Sequence, residues 1–300
     1  MRSIHRVIAI GLAAAFVAAA CGGASTASPS PAPATATAKP APSFEATSFM
    51  ATIKSKGKIR VGTREDNVPF GLKNPSTGKL EGFDIDIARE LAKGIFGDKA
   101  NIDENIEFIP VVSATRIPTL QDNKADFVIA TFTINDDRKK QIDFSDVYFR
   151  TGQRILVKKD NTTITKAEDM AGKTICAATG STSVDNIKKI APTAKILALD
   201  SYPPCLLALQ QGSADAVSTD ETILFGLAKQ DPNTKLVGPY FSTEPYGIGI
   251  KQNANNDRAG FVTFMNAQLA AMIADGRWAK SYKQWISPVS FDEKKNPDGK

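Results

Sequence analysis

Short apolar runs alternate with amphipathic stretches over most of the chain. Residues 106–112 and 125–129 are apolar runs of the length typical of buried strands. Between residues 82 and 92 the apolar side chains recur at helical spacing, which predicts an amphipathic helix. By the same reasoning we predict strands at 58–63, 153–157, 174–178, 195–199, 214–218 and 235–237, and helices at 116–122, 184–190, 205–211 and 221–229. Because strands alternate with helices in two successive series, the pattern predicts an α/β fold with two halves and a largely parallel sheet.

The last part of the pattern is helical. Residues 258–286 predict two helices broken at Asp275 and Gly276. Trp278, Tyr282 and Trp285 recur there at the spacing of core residues. We interpret these aromatic side chains as packing groups rather than as a ligand cage.

The N-terminal region predicts export. Two arginines precede an apolar stretch at residues 7–20, a pattern typical of a signal peptide and too short to span a bilayer comfortably. The residues around Cys21 read Ala-Ala-Ala-Cys-Gly, which resembles the lipobox of bacterial lipoproteins. By that resemblance Cys21 is the lipidated first residue of the mature protein. Residues 21–46 are rich in Ala, Pro, Ser and Thr, so we expect a flexible tether there.

Composition excludes several classes of site. The 37 basic and 32 acidic side chains are interspersed along the chain, and no nucleic-acid-binding signature is present. The only histidine, His5, is removed with the signal peptide, which excludes imidazole catalysis and zinc sites built on histidine. We predict no metal and no cofactor. Cys176 and Cys205 remain as thiols; an oxidising compartment permits a disulfide between them, and two buried free cysteines are the alternative.

One stretch, ATFTINDDRKKQIDFSD at residues 130–146, carries candidate chemistry. Thr131 and Thr133 are expected where an apolar strand ends, and Asn135 suits the N-cap of a turn that carries Arg138. A guanidinium beside two hydroxyls at the carboxyl end of a strand is a suitable receptor for a small carboxylate. The alternative is a solvated basic turn, because Arg138 is followed by two lysines.

Six motifs in this order resemble those of one family. They read GTREDNVPFG, LEGFDIDIARELA, ATFTINDDRKKQIDFSDVYF, ATGSTSV, ADAVSTDETI and MIADGRWAKSYKQWI. Together they resemble the polar amino-acid solute-binding proteins of ABC importers, family 3, and most of all the glutamate/aspartate binders. The resemblance covers residues 49–286. It implies a two-lobed periplasmic-binding-protein-like fold of type II, with lobe one at 49–149 plus 246–286, lobe two at 150–245 and a tail at 287–300.

The resemblance also implies roles for single residues. In the family the position of Arg138 binds the α-carboxylate of the ligand, assisted by the positions of Thr131 and Thr133. The position of Asp220 pairs with the α-ammonium group. Alternatively, Asp220 caps the helix that follows it, or does both.

Further roles fall in lobe two. Ser181 and Thr182 lie in a strand-to-helix turn, where free backbone N–H groups favour an anion, and they would hold the same carboxylate from the other side. Cys176 and Cys205 are placed like a cysteine pair of some glutamate-binding relatives. The resemblance therefore implies a structural disulfide.

The choice of ligand side chain depends on a separate set of positions. Arg64 and Arg116 match arginines that glutamate/aspartate binders place around the side-chain carboxylate, and Ser113 is expected to assist. Relatives that bind basic amino acids carry an acidic residue at the position of Arg64 and aromatic residues near Asn67 and Ser113, which this chain lacks. The resemblance therefore implies an acidic ligand. The alternative for Arg116 is that it only pairs with a neighbouring acid.

These observations predict an exported, monomeric lipoprotein on the outer face of the membrane or in the periplasm. It would deliver L-glutamate or L-aspartate to the permease subunits of an ABC importer. One alternative is a binder of another polar amino acid such as glutamine. Another is an enzyme of the same fold, such as a cyclohexadienyl or arogenate dehydratase, whose acid or base would come from Glu65, Asp66, Asp220 or Glu221. We expect no catalysis and name no catalytic residue.

Overall fold

The computed structural model describes residues 42–99 and 101–288. Its strands are β1 (Ile59–Thr63), β2 (Asp66–Asn67), β3 (Gly71–Lys73), β4 (Leu80–Glu81), β5 (Ile106–Pro110), β6 (Phe127–Val128), β7 (Ile142–Phe144), β8 (Phe149–Thr151), β9 (Gln153–Lys158), β10 (Thr174–Ala178), β11 (Lys195–Leu199), β12 (Ala216–Asp220), β13 (Thr234–Val237), β14 (Glu244–Tyr246) and β15 (Gly249–Lys251). Its α-helices are α1 (Phe49–Lys56), α2 (Phe83–Phe96), α3 (Arg116–Gln121), α4 (Asp136–Lys139), α5 (Thr182–Ile190), α6 (Tyr202–Gln211), α7 (Glu221–Gln230), α8 (Phe261–Ala274) and α9 (Arg277–Trp285). Every element that the hydrophobic pattern predicts is present, with ends that differ by up to four residues.

Two five-stranded sheets form the centres of two lobes. The lobe-one sheet has the order β5-β1-β6-β15-β7, and the lobe-two sheet has the order β11-β10-β12-β9-β13. In lobe one, β1 is parallel to β5 and β6, whereas β15 is antiparallel to β6 and β7. In lobe two, β10 is parallel to both neighbours, whereas β9 is antiparallel to β12 and β13. Because β7 pairs antiparallel with β15, and β13 with β9, four strands of each sheet run in one direction and one strand, β15 or β9, runs opposite to them. The prediction of a largely parallel sheet is therefore confirmed, with one antiparallel strand in each sheet.

The antiparallel direction of β9 and β15 follows from the way the chain crosses between the lobes. Strands β8 and β14 form an antiparallel pair that belongs to neither large sheet, and the chain crosses between the lobes through them. The strand that follows each crossing, β9 or β15, starts at the edge nearest the other lobe. It must therefore run opposite to the strands that end at that edge. The lobe boundaries expected from the family lie within β8 and β14.

Three elements begin or end at residues other than those predicted, and each difference concerns a residue of the candidate site. Helix α6 begins three residues before its predicted start, because Pro203 and Pro204 occupy its first turn, where proline needs no N–H partner. Helix α5 begins two residues early, which makes Ser181 its N-cap residue. Strand β12 runs two residues further than predicted and ends at Asp220, which stands directly before α7.

The core of lobe one contains the C-terminal aromatic residues. Trp278 lies edge-on to Phe83, with ring centres 5.5 Å apart, and stacks on Tyr282 at 5.1 Å. The indole N–H of Trp278 donates to the carbonyl of Tyr148 at 2.9 Å. Trp285 is half-buried and packs against the same core. These contacts agree with a packing role for the three aromatic residues.

The described part of the chain begins packed against lobe one. Lys54 donates to the carbonyl of Pro42, and Phe44 lies edge-on to Phe264 at 5.8 Å. The packed region therefore starts before Glu45. The signal peptide, Cys21 and tail residues 289–300 lie outside the described residues. Among the helices that the structure describes, none is both long enough and apolar enough to cross a membrane.

Candidate functional site

Arg138 occupies the rim of lobe one that faces lobe two. Asn135 caps the short helix α4 by accepting a hydrogen bond from the backbone N–H of Arg138 at 2.9 Å. The guanidinium donates to the carbonyl of Thr133 at 2.6 Å and to the carbonyl of Gly180, in lobe two, at 3.2 Å. Burial lowers the pKa of Arg138 from its usual value. The next two lysines are exposed, so the solvated-turn interpretation fits them but not Arg138, which is 8% exposed.

Thr131 and Thr133 lie on the loop between β6 and α4. Thr131 adopts a left-handed backbone conformation, with φ +47°, which is uncommon for a β-branched residue. Its N–H donates to the carboxylate of Asp84 at 2.9 Å, and its hydroxyl accepts from the amide of Asn67 at 3.4 Å. Thr133 forms a backbone bridge with Tyr246. The loop is thus fixed from two directions.

Asp84 is a buried carboxylate that sequence reasoning missed. It also accepts a hydrogen bond from the hydroxyl of Tyr148 at 2.7 Å. Burial raises its pKa to about 7, against the hydrogen bonds from Tyr148 and Thr131. In the sequence Asp84 is an ordinary acidic residue in the first turn of a helix, and nothing there indicates that it faces inward.

Arg116 is buried at the start of α3 and binds backbone carbonyls. Its guanidinium donates to Ala130 at 3.0 Å, to Thr131 at 2.9 Å and to Ser113 at 3.2 Å. It forms no salt bridge among residues 42–99 and 101–288. The alternative that Arg116 only pairs with an acid is therefore wrong. Burial, followed by the charges of Arg138 and Arg64, holds its pKa well below the usual value.

Two guanidinium groups share one aromatic ring. The central carbon of the Arg116 guanidinium lies 4.2 Å from the ring centre of Phe132, and that of Arg138 lies 5.0 Å from it. A cation near an aromatic ring is attracted to the negative face of the ring. The two like charges nevertheless repel each other. An anion placed between them would relieve that repulsion.

Arg64 lies next to Ser113, as the resemblance implies, and is almost fully buried. It donates to Ser113 Oγ at 3.5 Å and to Asp66 Oδ1 at 2.8 Å and 3.1 Å. The ring centre of Tyr202, from lobe two, lies 5.8 Å from the Arg64 guanidinium carbon. An aromatic residue therefore stands at this end of the site, but the other lobe supplies it, and Tyr202 is distant in sequence from the positions near Asn67 and Ser113.

In lobe two, two predicted ligand-binding residues present polar atoms with no partner in the described part of the chain. Ser181 is the N-cap residue of α5, yet its buried hydroxyl makes no capping hydrogen bond. Asp220 stands at the N-cap position of α7 and likewise makes no side-chain capping bond. Its Oδ1 is buried without a partner, whereas its Oδ2 accepts from the hydroxyl of Tyr246 at 2.5 Å. The capping role considered for Asp220 is thus absent.

The groups around Asp220 act in opposite directions on its pKa. Burial raises its pKa to about 8, and the charge of Glu244 adds to the rise. The Tyr246 hydrogen bond and the charges of Arg116 and Arg138 act in the opposite direction. An ammonium group beside the unpartnered Oδ1 would favour the ionised carboxylate.

Thr182 differs from the expected arrangement. Its hydroxyl donates to Glu244 Oε2 at 2.8 Å, so that hydrogen is already engaged. Glu244 also accepts from Asn186 at 2.8 Å and from Ser242 at 2.6 Å. Glu244 lies on β14, one of the two crossing strands, and no local pattern of residues singles it out.

The two lobes touch across the site. A Cβ on Gly180 of lobe two would lie 2.7 Å from the Cα of Ala114 in lobe one. A Cβ on Gly226, in α7, would lie only 2.1 Å from the carbonyl oxygen of Val68. Both distances are shorter than real Cβ contacts, so only glycine fits at these points of contact.

A disulfide bond lies beneath the lobe-two half of the site. Cys176 on β10 and Cys205 on α6 are bonded, with their Cα atoms 5.5 Å apart. Strand β10 leads to the turn with Ser181, and α6 begins with Tyr202. The bond therefore links the two segments of lobe two that carry these residues.

Two carboxylates considered for catalysis are already engaged. Asp66 pairs with Arg64, and Glu221 accepts from Arg154 at 2.7 Å and from the hydroxyl of Tyr240. No cluster of residues that could hold a metal ion occurs within 42–99 and 101–288.

The fold and the cleft define a two-lobed solute-binding protein. Residues 59–288 match the family of bacterial extracellular solute-binding proteins, family 3. The chain belongs to this family, and it is an exported amino-acid-binding protein of an ABC importer.

Three relatives illustrate the range of ligands. The chain is 41% identical over 287 residues to the ABC transporter glutamine-binding protein GlnH of Bacillus subtilis (strain 168), covering 95% of this chain and 98% of that protein. It is 35% identical over 239 residues to the glutamate-binding protein GluB of Corynebacterium glutamicum, covering 77% and 79%. The structure of an ancestral arginine-binding protein bound to arginine shares 41% identity and a TM-score of 0.70, covering 77% and 99%. Their ligands differ, so similarity alone does not select the ligand of this chain.

Proposed function

We propose that the chain binds a free α-amino acid between its lobes, with the carboxylate on Arg138 and the ammonium on Asp220. The unpartnered Oδ1 of Asp220 supports the ammonium end, because a buried acceptor without a partner is costly unless a donor arrives. The buried guanidinium of Arg138 supports the carboxylate end. Thr131, Thr133, Ser181 and the N-terminus of α5 complete the carboxylate site in this proposal, with Thr182 contributing its backbone.

We propose further that the ligand is acidic, with L-glutamate first and L-aspartate second. One observation carries this choice. Arg116 and Arg138 are two buried guanidinium groups that form no salt bridge within the described residues. A ligand with two carboxylates supplies an anion for each of them. Arg64 and Ser113 lie beside the same end and would receive the side-chain carboxylate together with Arg116.

L-Glutamine is the second candidate. Arg64 already has a charge partner in Asp66, so it can donate to a neutral amide without remaining a buried unpaired charge. The match to glutamine-binding proteins favours the same ligand. The two candidates differ only in whether Arg116 has an anionic partner in the complex.

Titration calorimetry of the mature protein against glutamate, glutamine and aspartate distinguishes these candidates. We expect glutamate to bind more tightly than glutamine in the parent. Arg64→Ala or Arg116→Ala should weaken glutamate binding at least tenfold, about 1.4 kcal/mol, and narrow its advantage over glutamine. If glutamine binds more tightly than glutamate and both variants retain glutamate affinity, the acidic assignment is wrong.

The bound amino acid would be delivered unchanged to permease subunits, by a monomer anchored to the outer face of the membrane through a lipid on Cys21. Mass spectrometry of the ligand after incubation should return it unmodified, whereas a dehydratase of the same fold would convert its substrate. Labelling cells with a lipid probe tests the anchor: the parent should be labelled, and Cys21→Ala should abolish the signal. Labelling that persists in Cys21→Ala contradicts the anchor alone.

A further inference from the structure

Helix α5 is linked by polar side chains to the two segments where the chain crosses between the lobes. Thr182 and Asn186 are four residues apart, so they lie on the same side of the helix. Thr182 donates to Glu244 at 2.8 Å. The side-chain amide of Asn186 donates to Glu244 at 2.8 Å and to Gln153 at 2.9 Å. Because Glu244 begins β14 and Gln153 begins β9, just after β8, Asn186 joins α5 to both crossing segments.

The two acceptors of the Asn186 amide are themselves held in place. Glu244 is 2% exposed, and Gln153 is fully buried at 0%. The amide of Gln153 donates to the carbonyl of Ser183 at 3.2 Å and to Ser218 Oγ, on β12, at 2.9 Å. An amide whose two donors face buried, fixed acceptors has little freedom to turn. The Asn186 side chain therefore sets the position of α5 relative to both crossings.

The N-terminus of α5 lies at the cleft. Its N-cap residue Ser181 makes no capping hydrogen bond, and the buried Ser181 hydroxyl has no partner in the described part of the chain. The first backbone N–H groups of a helix also lack partners within the helix. The carbonyl of Gly180, directly before Ser181, accepts from Arg138 at 3.2 Å. These donors therefore stand beside the guanidinium that receives the α-carboxylate in the proposed binding mode.

We propose that Asn186 is a positioning residue for ligand binding: it ties α5 to both crossing segments, so that the N-terminus of α5 reaches the ligand carboxylate held on Arg138. The inference rests on the proposed binding of that carboxylate by Arg138 and the start of α5. Asn186 does not touch the ligand and acts only through the helix. Because the lobes of such proteins close about hinge segments, a helix tied to both crossings moves with them rather than independently.

Affinity and stability should respond differently to the loss of the Asn186 amide. Asn186 is half-buried within a helix, so alanine there suits the helix and lets water reach the two acceptors. Asn186→Ala should therefore keep the unfolding free energy of the ligand-free protein near that of the parent. It should weaken binding of L-glutamate and L-glutamine alike, by about tenfold, because both ligands carry the same α-carboxylate.

A second variant, Asn186→Asp, keeps the shape of the side chain and removes its donors. The new carboxylate would face the oxygens of Glu244 and Gln153, which are acceptors themselves, so both links to the crossings become repulsive. Asn186→Asp should weaken binding at least as much as Asn186→Ala. Lys188→Ala is the matched control, because Lys188 is exposed on the same helix, and it should bind like the parent.

The test combines titration calorimetry of the mature protein, chemical denaturation without ligand, and amide exchange followed by NMR. In the parent, L-glutamate should slow the exchange of the backbone N–H groups of residues 182–184, which form the start of α5. In Asn186→Ala the same ligand at saturation should protect these groups less. Lys188→Ala should show the protection of the parent.

The inference and the proposed function fail on different results. Parent-like affinity in Asn186→Ala overturns the inference, and if only its stability falls, Asn186 is a structural residue. A parent in which exchange at residues 182–184 does not change on binding overturns it as well, even if no variant folds. If neither amino acid binds the parent, or if Arg138→Ala binds as tightly as the parent, the proposed function fails instead.

Discussion

The two halves of the cleft are built differently. In lobe one the guanidinium groups of Arg116 and Arg138 are held by backbone carbonyls, and the loop they bind is fixed by Asp84. In lobe two the hydroxyl of Ser181 and one oxygen of Asp220 are buried without a partner in the described residues. In the proposed binding mode the lobe-one half is thus a preorganised receptor, whereas the lobe-two half would receive its missing hydrogen bonds from the ligand. A ligand that supplies those bonds favours the state in which the lobes touch.

The largest expected losses of affinity come from replacing Arg138 in the lobe-one half of the cleft or Asp220 in the lobe-two half. Arg138→Ala and Asp220→Asn should each weaken amino-acid binding by about 2 to 5 kcal/mol, roughly thirtyfold to several thousandfold, because a buried charge loses its partner. Both should affect glutamate and glutamine alike, since they act on the groups that all amino acids share. Calorimetry measures this, and exposed Lys139→Ala is the matched control. Unchanged affinity in either variant contradicts the proposed contacts of the ligand with Arg138 and Asp220.

Breaking the disulfide should lower the stability of lobe two more than that of lobe one. Closing a loop with a sequence separation of 29 stabilises by roughly 3 to 4 kcal/mol in the chain-entropy model. Replacing both Cys176 and Cys205 by Ser should therefore lower the unfolding free energy, with amide exchange increasing mainly around β10 and α6. Thiol titration of the unfolded, unreduced secreted parent should find neither cysteine free. Two free thiols at these positions would refute the bond.

A smaller effect is expected where the lobes touch. Gly226 lies inside α7 with an ordinary helical backbone, so Ala there should stabilise the isolated helix by up to about 1 kcal/mol. In the contact with lobe one, however, the added methyl collides with the Val68 carbonyl. Gly226→Ala should thus leave ligand-free thermal stability intact while weakening binding about tenfold and reducing compaction in small-angle scattering. Parent-like affinity and compaction would show that this contact does not limit closure.

Local features of the site were predictable from the sequence, and features that need both lobes were not. Asn135 capping the turn of Arg138 is a relation over three residues, so the pattern alone predicts it. The Asp84–Thr131 hydrogen bond spans 47 positions, and the contact of Tyr202 with Arg64 joins two lobes. Such contacts depend on how the lobes and the core pack, which no local spacing encodes.

The one antiparallel strand in each large sheet is likewise a feature that local spacing does not predict. Alternating strands and helices predicted the elements correctly, yet the direction of β9 and β15 depends on where the chain crosses between lobes. Glu244 lies on one of those crossing strands, in a short segment with no hydrophobic pattern of its own. Its place beside the candidate site is seen only in the structure, where it accepts hydrogen bonds from Thr182 and Asn186.

A structure of the mature protein with L-glutamate bound tests the central claim most directly. We expect the α-carboxylate to contact the guanidinium of Arg138 and the ammonium to lie within hydrogen-bond distance of Asp220 Oδ1. We also expect the side-chain carboxylate to lie beside Arg116 and Arg64. A ligand that leaves Asp220 Oδ1 without a partner, or whose α-carboxylate does not contact Arg138, would contradict it.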